Sequence, residues 1–183
     1  MNDLNQLLPL IIFLGLALLI TTIYDLKYYK IPNLITFPLA IVGVFYHSIF
    51  FGLDGLLFSS AGLFLGIGLF LPVYAFGGMG AGDVKLMGAA GAVLGAKGVF
   101  VAALLTALFG GLYALLLLAI HHSYARAFIS RTWAVLKTFA LTRQYIPVAS
   151  PHPVQNRPRL CYGVAIAMGV FTYLILEFLD YQI

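Results

Sequence analysis

Charge is scarce in this chain: Asp, Glu, Lys and Arg together fill only 9% of 183 positions, against about 25% in a soluble globular domain. So little polar surface excludes an ordinary water-soluble fold. Cysteine is almost missing as well, and the single Cys161 excludes an intrachain disulfide and a cysteine-rich zinc site. There is no Gly-x-Ser-x-Gly elbow for a serine hydrolase and no His-Glu-x-x-His zinc motif. The net charge of +4 is not gathered into a basic run with interleaved aromatics, so nucleic acid is not an expected partner. No metal or other cofactor is expected. The first six residues carry no positive n-region, and no small-residue cleavage site follows, so the first apolar run is read as a retained helix rather than a signal peptide.

What fills the chain instead is apolar: 62% of positions. Bilayer is the natural solvent for it, and a spanning helix needs about 20 apolar residues at a rise of about 1.5 Å each. The runs predict an all-α integral membrane protein of one domain, a bundle with helices at about 7–24, 33–51, 56–76, 84–95, 98–120 and 162–179. Pro32 ends the connection before the second helix, and Asn33 is placed to cap it. The segment 84–95 is short, and either crosses or re-enters on the side it left. If it crosses, Lys27, Lys30, Lys85 and the six cations from Arg126 to Arg159 share one side, with Lys97 opposite. The positive-inside rule favours that arrangement. It gives six crossings, both termini outside the cytoplasm and the 121–161 loop within it.

Within that loop, Phe128, Ile129, Trp133, Leu136 and Ala140 recur at helical spacing. Such a helix either lies in the headgroup layer or packs on the bundle. Gly62 with Gly66 and Gly91 with Gly95 repeat at intervals of four, a spacing that brings two helix backbones close. Their expected role is packing.

The chain has six acidic residues. Asp3, Asp54, Glu177 and Asp180 fall at outer ends or loops and read as solvated flanks. Asp25 and Asp83 each stand at the cytoplasmic boundary of a predicted helix, so they share one depth. Asp83 follows the side-chain-poor stretch Gly77-Gly78-Met79-Gly80-Ala81-Gly82. It is either an N-cap alone or a cap that also does chemistry. Two carboxyl groups in one site hold a single proton between them. The ionised member can then take a proton from an attacking water while the neutral one donates to the carbonyl oxygen. Lys85 either snorkels to the surface or biases the pair towards its ionised state. His47 and His121-His122 read as polar residues at helix ends, and Cys161 as a small packing residue.

At these residues the sequence resembles the type IV prepilin peptidase family of prokaryotic GxGD aspartic proteases. Gly80-Ala81-Gly82-Asp83-Val84-Lys85 looks like its signature loop, with Gly80, Gly82 and Lys85 in the active-site loop. Asp25 followed by Lys30-Ile31-Pro32-Asn33 looks like the segment of the first catalytic aspartate, and Tyr162-Gly163 like the opening of the last helix. Cys161 replaces the proline often found before that pair, which alters the start of the last helix more than the chemistry. The cysteine-rich region of the larger, N-methylating members is missing, so the resemblance is to the minimal peptidase-only form, as in tight-adherence (Flp-type) systems and, more distantly, preflagellin peptidases. It implies a prokaryotic cytoplasmic-membrane enzyme with Asp25 and Asp83 catalytic. Its partner would be a prepilin-like precursor whose basic leader is cut at the cytoplasmic face. Sequence leaves the oligomeric state open. Two other readings stand beside this one: a transporter or assembly subunit with intramembrane acids, and a protease cutting within membrane helices.

Overall fold

A computed structural model describes residues 2–120 and 161–180, all helical apart from short connections. The helices are α1 (Asn2–Tyr28), α2 (Asn33–Ala75), α3 (Ala81–Ile120) and α4 (Tyr162–Asp180). Each contains a stretch long and apolar enough to cross a membrane. The chain divides into two compact units, Met1–Gly110 with Cys161–Ile183, and Gly111–Leu160. Of the second, residues 111–120 are described: the end of α3, with Leu112, Leu115 and Leu116 exposed. The helix expected inside the 121–161 loop lies outside the described residues.

Six helices were expected and four are found. The segments 33–51 and 56–76 both fall within α2, and 84–95 and 98–120 within α3. The difference comes from single glycines: Gly52 stands in an expected connection, and Gly95 at the end of the expected helix 84–95. Gly52 (φ 62°, ψ −138°) interrupts α2, and Gly95 (φ 71°, ψ 179°) interrupts α3. Positive φ is open to glycine at no steric cost. In an unbroken helix, His47 and Phe58 would lie about 16 Å apart along the axis. Their rings instead stack with centroids 5.0 Å apart and planes 9° apart. The chain therefore doubles back at Gly52.

A similar reversal follows Gly95. Lys85 bonds Asn33 and Gly43 packs on Ala92, so the first half of α3 runs alongside the first half of α2. Beyond Gly95 the partner is α4, in antiparallel order: Gly98 meets Tyr173, Gly169 meets Ala102 and Thr106, and Gly110 meets Tyr162. Since Gly163 packs on Asp25 and Gly15 faces Phe171, α4 is also antiparallel to α1. The chain thus leaves the Asp25 end at Asp83 and returns to it by Gly110.

The short segment whose crossing was in question is the centre of the bundle. Leu86, Met87, Ala89, Ala90 and Ala92 are at most 1% exposed. Its small side chains let both arms of α2 approach: Gly62 lies against the Gly91 carbonyl, Gly91 against that of Gly62, and Gly66 against Met87. Ser59 Oγ donates to the Ala92 carbonyl at 2.6 Å across the same seam. Lipid-soluble helices gain nothing by hiding leucine from lipid, so close backbone approach supplies the packing. Bulky residues accordingly face outward, with Leu34 85% and Ile49 74% exposed. Asn33 does not cap α2: the N-cap position is Pro32, without a side-chain cap, and the Asn33 side chain accepts a bond from Lys85 instead.

The seam gives a paired prediction. A Cβ at Gly62 would overlap the Gly91 carbonyl, whereas a Cβ at Gly68 would meet nothing within 4 Å. Thermal unfolding in detergent should show Gly62→Ala destabilised by about 2 kcal/mol or more, and Gly68→Ala no less stable than the parent. Equal midpoints for both variants would contradict the contact.

Candidate active site

The site begins where α1 ends. Tyr29 adopts φ 54°, and its N–H bonds back to the Asp25 carbonyl at 2.8 Å. This is the single-bond left-handed ending of a helix, with tyrosine where glycine is commonest. It turns the chain just past Asp25, so that Ile31 comes to lie on Gly82. A Cβ on Gly82 would stand 2.9 Å from the Ile31 Cβ. The second glycine of Gly80-Ala81-Gly82-Asp83 is thus needed for contact between the segment after α1 and the start of α3.

Both aspartates are buried, Asp25 at 6% exposure and Asp83 at 7%. A carboxyl group at that depth needs polar partners. Each finds one at a helix start, where N–H groups lack intrahelical acceptors and the helix dipole is positive. Asp25 Oδ2 accepts the Gly163 N–H at 2.9 Å, in the first turn of α4. Asp83 Oδ2 accepts the Gly80 N–H at 2.9 Å, while the Asp83 N–H donates to the Gly80 carbonyl at 3.1 Å. Because α3 starts at Ala81, the N-cap position belongs to Gly80 and Asp83 is the third helical residue. Asp83 therefore reaches back to the cap in the manner of a capping-box acid. That corrects its expected place as the N-cap itself.

The two carboxyl groups line one open cavity of about 260 Å³, together with Tyr29, Lys30, Ile31, Gly80, Ala81 and Gly82. Of the residues singled out in the sequence, Asp25, Asp83, Gly80 and Gly82 are brought together. Lys85 is not among the lining: its Nζ donates to Asn33 Oδ1 at 3.0 Å and stands 5.3 Å from the Phe37 ring centroid. It ties α3 to α2 and does not face the aspartates. Among the described residues no three His, Cys, Asp or Glu side chains gather as a metal site.

Gly163 was not anticipated as a site residue. A Cβ there would fall 2.9 Å from Asp25 Oδ2 and 3.1 Å from Asp25 Cβ, so glycine is what lets α4 present its N–H. The one sequence signal is a glycine in a helix's first turn, where it costs helix stability relative to alanine. Tyr29 and Lys30 were also missed as lining residues, because nothing in their types distinguishes a cavity wall from a membrane-surface flank.

Cys161 sits in the position before α4, 4% exposed, with Sγ 3.9 Å from the Asp25 carbonyl oxygen. Burial, then the charges of Asp25 and Asp83, push its thiol up. A raised thiol has less thiolate at neutral pH, and the thiolate is the species that alkylates. Maleimide should therefore leave Cys161 unmodified in the folded protein and label it after denaturation. Rapid labelling of the folded protein would contradict this placement.

The model of the type IV leader peptidase family matches residues 12–115. No curated protein and no solved structure matches the chain. The family match takes in Asp25, the glycine loop and Asp83, and ends before α4, which supplies the N–H to Asp25. It covers more than half of the sequence, and the chain belongs to the type IV leader peptidase family.

Proposed function

We propose that this protein is an aspartic endopeptidase that removes the basic leader of type IV prepilin-like or preflagellin-like precursors at the cytoplasmic face. Asp25 and Asp83 act together on one water molecule. The observation that carries this reading is their convergence, from the end of α1 and the start of α3, in one open cavity. Each commits one oxygen to a backbone N–H, which fixes the carboxyl plane before substrate arrives. Two such groups hold one proton between them. The ionised carboxylate takes a proton from water as the water oxygen bonds to the scissile carbonyl carbon, and the neutral one donates to the carbonyl oxygen. When the tetrahedral diol collapses, the C–N bond breaks, the departing amine takes the proton that came from water, and one diol hydroxyl returns its proton to the carboxylate that had donated. The pair returns to its single-proton state. Neither group can be assigned as the base alone, since a coupled pair titrates as a unit.

The open side of the cavity suits an extended chain. Backbone without side chains at Gly80 and Gly82 lets a scissile strand come near the carboxyl groups, and a following hydrophobic helix would lie in the surrounding bilayer. An ion-path reading asks for acids at successive depths, whereas Asp25 and Asp83 share one cavity.

We also propose six crossings, with α2 and α3 each spanning twice. The reversals at Gly52 and Gly95 support this, as does the charge pattern: Lys27, Lys30 and Lys85 at the aspartate end, Lys97 at the other. Both termini are then extracytoplasmic, in the cytoplasmic membrane of a prokaryote.

Two experiments test these proposals. Purified protein should cleave a precursor bearing a basic leader and a hydrophobic helix, with mass spectrometry placing the cut before the helix. Asp25→Asn and Asp83→Asn should each reduce kcat by about 10³-fold or more with folding retained. Full turnover by either variant, or a cut inside the helix, would overturn the proposal. For topology, single cysteines in a Cys161→Ser background should react with an impermeant maleimide from outside at Asp54 and Lys97, and not at Lys30. Outside labelling at Lys30 would overturn the six-crossing arrangement.

A further inference from the structure

Substrate recognition in the aspartate cavity has few side chains to work with. Of its eight lining residues, Asp25 and Asp83 are taken by the chemistry, and Gly80, Ala81 and Gly82 offer backbone and one methyl group. Ile31 is packed against the bundle core. Tyr29 and Lys30, both exposed, are left to meet a bound chain. Lys30 is a cation, and like charge keeps it from gripping a basic leader.

The backbone singles out Tyr29. Among the described residues φ is positive at Gly52, Gly77 and Gly95, and at one non-glycine residue, Tyr29. Gly77 stands just past the end of α2, as Tyr29 stands just past the end of α1. A side chain in this region crowds the backbone, at a cost that glycine escapes. The helix ending itself therefore does not call for tyrosine. None of the three glycines borders the aspartates, whereas the one crowded residue does. Strain of this kind is kept where a side chain serves binding. We propose that the Tyr29 ring packs on the substrate main chain beside the scissile bond and holds it against the bare backbone of Gly80 and Gly82. A tyrosine suits that place, since it offers a large rigid contact area with only two side-chain torsions to fix. The identity of the bound chain rests on the leader-peptidase reading, and Tyr29 is then a substrate-positioning residue.

The test measures binding apart from cleavage, using the full chain in detergent with Asp83→Asn as background and a precursor bearing a basic leader and a hydrophobic helix. Tyr29→Gly should weaken Kd by about tenfold or more, and Tyr29→Phe, which keeps the ring, should stay within about threefold of the background. With Asp83 restored, Tyr29→Gly should raise KM by the same factor and leave kcat close to the parent value, the mark of a contact made equally before and during reaction. Its thermal midpoint should be no lower than the parent's, because glycine relieves the crowded backbone. An unchanged Kd in Tyr29→Gly, a Kd in Tyr29→Phe as weak as in Tyr29→Gly, or a lower midpoint for Tyr29→Gly would overturn the proposal. Weaker binding by Tyr29→Gly when the parent does not cleave would leave the contact standing and remove the peptidase reading. Normal cleavage with unchanged binding would do the reverse.

Discussion

A carboxyl group buried inside a membrane protein is costly unless something polar answers it, and here that answer comes from backbone at the starts of helices. Asp25 and Asp83 are both buried, and each rests on an N–H that helix geometry leaves without an acceptor. The arrangement serves both sides: the helix start gains an acceptor and the carboxyl group gains a fixed plane. It also accounts for the side-chain-poor backbone of the site. At Gly80, Gly82 and Gly163, a methyl group would press on Asp83, Ile31 or Asp25.

The bundle around the site follows the same economy. Its central segment, 84–93, is made mostly of alanine, glycine and valine, and the two arms of α2 close on it through glycine backbone. Large side chains are displaced to the lipid side, where they are as well solvated as in a core. The rigid seam fixes α3, and α3 in turn fixes Asp83.

Much of this was legible in the sequence, and the failures have definite physical causes. Hydropathy located every apolar run, since a bilayer imposes length and composition directly. It could not distinguish a loop from one glycine at positive φ, so Gly52 was read as part of a connection and Gly95 as the last residue of a helix. The two aspartates and the glycines between α2 and α3 were found because acids are rare and glycine runs conspicuous in such a chain. Asp83 was placed at the cap because the ends of a helix are the least exactly read part of it, and the bond from Gly80 shows it three positions further in, at the third helical residue. Lys85 was weighed as a partner for the aspartates from its nearness in sequence, but successive helical residues point different ways. Gly163 was noted as part of a helix opening but not as a site residue, because its role depends on a contact 138 positions away.

That separation has a consequence for biogenesis. Asp25 belongs to α1, and the N–H that holds it belongs to α4, which is synthesised long afterwards. Until α4 is inserted, the first carboxyl group has no such anchor, although Asp83 already has its own from the adjacent glycine. A chain halted before α4 would carry both acids in the membrane, one already held by backbone and the other not.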